Sequence, residues 1–141
     1  MSVYFDASVL LPTLINEAAS SAVDAFMLAG GRDFLVSDFA AAEVASALSR
    51  LVRMNLLELS DASARLADFD VWRAAATLSV DVHASDVRLA NAYVRRFELM
   101  LRAPDALHLA IARRIDATLV TLDRRLSVAA RELGVAVDDL T

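Results

Sequence analysis

Three observations predict a three-layer α/β/α sandwich around a mostly parallel sheet of four to five strands. Short apolar runs alternate with longer helical patterns along the chain. Several of those runs are apolar at every position rather than every second one, the pattern of strands buried on both faces. Glycine and proline are scarce, with three and two among 141 residues, so no linker, repeat or low-complexity tract divides the chain. Residues 1–141 therefore read as one domain with a substantial core.

The elements follow in order. Val3-Tyr4-Phe5 is the first apolar run and ends at Asp6. Ser8 is placed to cap a helix through Val9-Leu10-Leu11 toward Asn16, with Pro12 near its start, where it disrupts least. A helix from Ala18 to Leu28 stops at Gly30-Gly31. Phe34-Leu35-Val36 predicts the second strand, and Ser37-Asp38 caps a long helix that carries Glu43, Leu48, Leu51 and Val52. Ser60-Asp61 opens another helix, with Leu66, Phe69 and Trp72 along it. Leu78 to Val82 alternates as a strand does. Ala84 to Leu99 is helical by pattern, with Val87, Ala90, Tyr93, Val94 and Phe97 on one buried face.

The next helix opens on Pro104, suited to the first helical position, and on Asp105, close to the positive end of the helix dipole. Thr118 to Thr121 predicts a strand with Asp123 just past its end. Ser127 to Leu133 predicts a helix closing at Gly134, and Val135-Ala136-Val137 an edge strand.

In such sheets ligands bind at the carboxyl ends of strands. Asp6 and Asp123 sit at strand ends, and Asp105 shares their rim if its helix runs back from it. Each has a purely structural reading too: Asp6 as a turn residue, Asp105 as a dipole partner, Asp123 as a cap. Glu43 is least explained by local structure. It completes no capping box with Ser37 or Asp38, and its helical neighbours Ala40, Ser46 and Ala47 leave room for a ligand. A surface pairing with Arg50 is its plain alternative.

Clustered carboxylates need raised pKa values, arginine partners or a divalent cation. Oxygen-only ligands select hard ions such as Mg²⁺, with Mn²⁺ as the alternative, and such ions suit phosphate chemistry. Composition narrows the options. There is no cysteine, hence no disulfide, thiolate zinc site or thiol nucleophile, and every basic residue is arginine, so no lysine can act. Charges interrupt each apolar stretch well short of a membrane span, and no basic leader precedes one, which predicts a cytoplasmic protein. Nine of the 14 arginines fall between Arg88 and Arg131, against four acids there. That segment is net basic although the chain carries −5.

Val3-Tyr4-Phe5-Asp6-Ala7-Ser8, the helix-borne Glu43, Pro104-Asp105-Ala106-Leu107-His108-Leu109-Ala110 and Leu119-Val120-Thr121-Leu122-Asp123 together resemble the four motifs of PIN domains, and more narrowly VapC-type toxins. Their order and spacing span essentially the whole chain. The resemblance implies a metal-dependent endoribonuclease acting on structured RNA such as tRNA or rRNA. It also implies the toxin role in a type II toxin–antitoxin system, a cognate VapB-like antitoxin and a homodimer. By motif, Asp6 and Asp105 become the principal metal ligands, Glu43 and Asp123 complete the quartet, and Ser8 and Thr121 support it. Leu126 stands where many relatives carry an aromatic, a change expected to alter packing more than chemistry.

Arg95, Arg96, Arg102, Arg113, Arg114, Arg124 and Arg125 are the available phosphate contacts, with Arg102, Arg113, Arg124 and Arg125 the closest candidates for RNA. His108 reads as a packing residue, His83 as a surface residue at a helix start, and Trp72 as core or interface. Two other functions fit part of the pattern. A PIN-like domain that binds RNA or a partner without cutting needs the same fold. An aspartate-dependent phosphatase also begins with an acid after its first strand, but wants a lysine and a second Asp where Ser8 stands. The apolar helices around Glu43 and Trp72 predict a dimer interface and an antitoxin groove.

Overall fold

The computed structural model describes residues 1–141. Five parallel strands form one sheet: β1 (Ser2–Phe5), β2 (Asp33–Ser37), β3 (Leu78–Val80), β4 (Thr118–Thr121) and β5 (Val137–Asp139), in the order β3-β2-β1-β4-β5. The helices are α1 (Ala7–Leu14), α2 (Ser20–Leu28), α3 (Asp38–Arg53), α4 (Leu59–Ala76), α5 (Ala84–Val94), α6 (Ala103–Arg114) and α7 (Arg124–Glu132), with a 3₁₀ turn at Phe97–Leu99.

Side chains of β1 alternate between the two faces, as the period of a strand requires. Val3 and Phe5 join a buried cluster with Val9, Leu10, Val44 and Phe69, under α1–α4. Tyr4 joins the other cluster with Tyr93, Leu109, Leu119 and Leu126, under α5–α7. β1 is thus buried on both faces, which is why its run is continuously apolar. It is also the strand at which the order reverses, with β2 on one side and β4 on the other. Open α/β sheets bind ligands outside the carboxyl ends of strands at that switch point.

Several boundaries differ from the sequence reading. α1 is capped by Asp6, whose side chain accepts from the Val9 amide, and Ser8 lies inside its first turn. α4 begins one residue earlier, after Glu58. α5 ends at Val94 rather than Leu99, and Met100 takes a left-handed conformation at φ 56° to close the 3₁₀ turn. Phe97 consequently turns outward and is 83% exposed instead of lining the core. α7 starts at Arg124, three residues before the expected Ser127, because Asp123 is the true cap. β5 pairs Val137 with Leu119, placing the edge strand two residues later than expected. No helix is long and apolar enough to cross a membrane.

Candidate active site

Parallel pairing sets Phe5 beside Val120, so the residues that follow, Asp6 and Thr121, emerge next to each other. Thr121 Oγ1 donates to Asp6 Oδ2 at 2.6 Å, and Ser8 Oγ donates to Asp6 Oδ1 at 2.5 Å. Each hydroxyl in turn accepts a backbone amide at 2.9 Å, Thr121 from Asp123 and Ser8 from Leu122. Two hydroxyls therefore lock the end of β4 onto the carboxylate that ends β1. Asp6 is only 4% exposed. Burial pushes its carboxyl above the ordinary range, against the opposing pull of the two hydroxyls, His108 and the Val9 amide.

Asp105 stands in the first turn of α6, half-buried, with Arg102 Nε 3.5 Å from its Oδ2. Its carboxyl is raised too, by burial first and then by the charge of Asp123; Arg102 and His108 oppose the shift. Asp123 does cap α7, but it uses only Oδ1, which accepts from the amides of Arg125 at 2.9 Å and Leu126 at 3.2 Å. Arg102, Arg124 and Arg125 share one open cleft with Asp105 and Asp123.

Glu43 has neither Arg50 nor solvent alone as its partner. It reaches over the carboxyl end of the sheet to His108 Nε2 of α6. His108 is 2% exposed. Its Nδ1 lies 2.7 Å from the Tyr4 hydroxyl, and that hydroxyl lies 2.8 Å from Ser37 Oγ, the cap of α3. Burial holds the Tyr4 phenol far above its ordinary range, with the charges of Asp6 and Glu43 adding to the shift, so it remains an O–H donor.

Tyr4 and Ser37 were absent from the sequence-level site, and His108 was assigned to plain packing. A tyrosine inside an otherwise apolar strand was the available signal, because a buried phenol must find a partner.

The predicted residues divide accordingly. Asp6, Ser8, Thr121 and Asp123 are linked by hydrogen bonds, and Asp105 faces Asp123 across the cleft. Glu43 is bonded to His108, whose other partner is Tyr4, and not to the other acids. Arg102, Arg124 and Arg125 are exposed at the rim. Arg113 does not join them: it lies at the far end of α6, donating to the Leu133 carbonyl at 2.9 Å and toward the Tyr93 hydroxyl. Arg114, beside it, is committed to Asp86.

The donor set fits a hard divalent cation in kind. It is all oxygen, and burial raises two of its carboxyls without a basic side chain hydrogen-bonded to Asp6. No three acidic or imidazole side chains stand together closely enough to hold an ion at once. Asp6 is turned onto its hydroxyls, and Glu43 onto His108.

This sheet order, with acids at the switch point, is the architecture of a PIN domain. A family model of the PIN domain matches residues 3–132, and the chain belongs to that family. Within it the chain is of the VapC type. It is 37% identical to ribonucleases VapC45 and VapC49 of two Mycobacterium tuberculosis strains, over 96% of this chain and 93% of each relative. Among solved structures, the M. tuberculosis toxin VapC20, described as cleaving the sarcin–ricin loop, superposes with a TM-score of 0.74 at 18% identity, covering 90% of this chain and 94% of that one. VapBC2 from Rickettsia felis, bound to a promoter DNA fragment, gives 0.69 at 14% identity over 99% and 98%. At such identities these likenesses speak to the fold.

Proposed function

We propose that this chain is a metal-dependent endoribonuclease and the toxin of a type II toxin–antitoxin pair, cutting structured RNA such as rRNA or tRNA. The reading is supported by Asp6 at the carboxyl end of β1, by Glu43 held to His108, and by Asp105 and Asp123 lining a cleft rimmed by Arg102, Arg124 and Arg125. The VapC ribonuclease relatives support the activity.

Asp6 and Asp105 would hold Mg²⁺ or Mn²⁺, with Glu43 and Asp123 completing the set. When bound, the ion supplies an activated water and neutralises phosphoryl oxygens. The chain's own residues do the rest. Ser8 and Thr121 fix the Asp6 carboxylate, the α6 N-terminus anchors Asp105, and the three rim arginines bind backbone phosphates and set the register of the RNA.

Cleavage of a defined rRNA fragment and a tRNA pool by the purified chain, read by RNA-end sequencing, tests the activity. Specific ends should form with Mg²⁺ and vanish with EDTA. Activity undiminished by EDTA would sink the metal reading. A non-cutting module would yield no new ends in either condition. Arg124→Ala and Arg125→Ala should each raise KM several-fold and reduce the slope of log affinity against log salt by about one. An unchanged slope would remove that arginine from the RNA path.

An antitoxin fits a second groove. Met27, Phe69 and Trp72 give it apolar walls, and Asp24 and Asp68 stand on its lining with Arg65, whose guanidinium is engaged by the Leu14 carbonyl. This suits an amphipathic segment with basic flanks. The acidic quartet would likewise attract a basic antitoxin side chain. A separate apolar groove between α5 and α6, with Phe39, Val94, Pro104 and Leu107 on it, is the surface for a homodimer. The same reading places the protein in the cytoplasm, where its RNA is.

A further inference from the structure

The hydrogen bonds around His108 have only one direction that satisfies every atom. The Ala40 amide donates to Ser37 Oγ at 3.0 Å, and Ser37 Oγ, fully buried, lies 2.8 Å from the Tyr4 hydroxyl. If Ser37 donates to Tyr4 and Tyr4 donates to His108 Nδ1, then Nε2 carries the ring hydrogen and donates to Glu43 Oε1. In a singly protonated ring, reversing the order turns a bare Nε2 lone pair onto a carboxylate. It also leaves the fully buried Ser37 hydrogen without an acceptor, a costly arrangement. The ring is further held by packing: its centroid lies 5.7 Å from that of Tyr4 and 5.3 Å from that of Phe39. Glu43 is thus the one acid of the four whose orientation is set by a donor from the opposite helical layer.

We propose that His108 is a positioning residue for Glu43. Its Nε2–H, fixed in that tautomer by Tyr4, occupies one carboxylate oxygen and leaves the other for the catalytic ion. This role rests on the metal-dependent function proposed above. Partners that orient a metal-binding carboxylate or histidine typically contribute 10–100-fold in metal affinity or activity.

Two substitutions separate positioning from packing. The amide of His108→Gln reaches about where Nε2 stands and can still donate to Glu43. That of His108→Asn reaches only about as far as Nδ1. The probe is Mn²⁺ alone, titrated into the full chain by calorimetry, with folding monitored by circular dichroism. His108→Gln should stay within about threefold of the wild type, and His108→Asn should bind about tenfold more weakly or worse.

Tyr4→Phe, which keeps the ring volume, releases Nδ1 and should also weaken Mn²⁺ binding; it decides the matter if either His108 variant fails to fold. Ring ¹⁵N NMR of the wild type should show a ring hydrogen on Nε2. A ring protonated only at Nδ1 overturns the role alone. So do equal Mn²⁺ affinities of the Gln and Asn variants, or a Tyr4→Phe affinity unchanged from wild type. A wild type that binds no Mn²⁺ overturns the proposed function, and this role with it.

Discussion

Asp6→Asn should abolish RNA cleavage while leaving the protein as stable as the wild type, or more so. The two halves of that expectation come from different properties of one carboxylate. Removing its charge would remove a principal oxygen donor for the proposed ion, and a catalytic metal's share of transition-state stabilisation is several kcal/mol. A loss of about 3 kcal/mol is already roughly 10²-fold in rate.

Stability runs the other way. Burial raises the Asp6 carboxyl above its unfolded-state value, so the ionised form is the one the fold disfavours. That cost is present at neutral pH and disappears as pH falls through the folded pKa. A neutral amide does not carry it. Asn keeps an oxygen for the Val9 amide and the Ser8 hydroxyl, and its Nδ2 can donate to Thr121 Oγ1, whose own hydrogen can turn to Ser8 Oγ 3.4 Å away. Single-turnover cleavage and thermal unfolding at pH 7 measure the two halves. Full activity with Mg²⁺ supplied and contaminating nuclease excluded would sink the site. A clear fall in Tm would show that the charge stabilises the fold, contrary to this account.

The sheet and the acids were legible in the sequence because both depend on local pattern. β1 and β4 carry consecutive apolar residues, β1 ends next to Asp6 and β4 ends two residues before Asp123, so burial on two faces and the placement of both acids follow from reading a few residues. Ser37 was legible as a cap for the same reason. The cap of α1 was not, since Asp6 and Ser8 are both good caps and only the tertiary site decides between them. Nor was the end of α5: no glycine or proline follows Val94, and the turn is made by Met100 in a conformation that sequence does not announce.

The His108 network lay furthest out of reach. Its contacts join residues 104 and 65 positions apart, and their polarity depends on how two helical layers meet over the strand ends. Arg113 shows the converse. Its charge pattern matched the other arginines, yet an α-helix of twelve residues carries it roughly 12 Å along the axis from Asp105, toward the amino ends of the strands.

Asp86→Ala should be the most destabilising single change outside the apolar core. Asp86 is 2% exposed on α5 and meets Arg114 of α6 through two bonds, Nε to Oδ1 at 2.8 Å and Nη2 to Oδ2 at 3.0 Å. Arg114 also donates to the Asp81 carbonyl at 2.7 Å, and Asp86 Oδ2 accepts from the His83 amide at 2.8 Å. One carboxylate therefore ties the segment after β3, the start of α5 and the end of α6. Truncating it leaves the partly exposed Arg114 guanidinium without its carboxylate and the His83 amide without its acceptor. Losing charge-assisted hydrogen bonds of a half-exposed pair typically costs about 2 kcal/mol, which for a chain of this size lowers Tm by roughly 6 °C.

The acid dependence distinguishes this from a simple packing defect. Burial alone would raise the Asp86 carboxyl, but the Arg114 and His83 hydrogen bonds outweigh it and hold the carboxyl below its ordinary value. For a depressed acid the stabilisation is fully present above the unfolded-state pKa of about 3.9 and is lost as pH falls through the folded pKa. The gap between wild type and Asp86→Ala, from urea unfolding at a series of pH values, should be constant from pH 7 to about 5 and shrink below about 4. Arg114→Ala leaves the same carboxylate buried alone, so the double variant should be less destabilised than the two single losses combined. A gap that persists undiminished at low pH, or strict additivity, would mean that Asp86 acts through packing rather than through its charge.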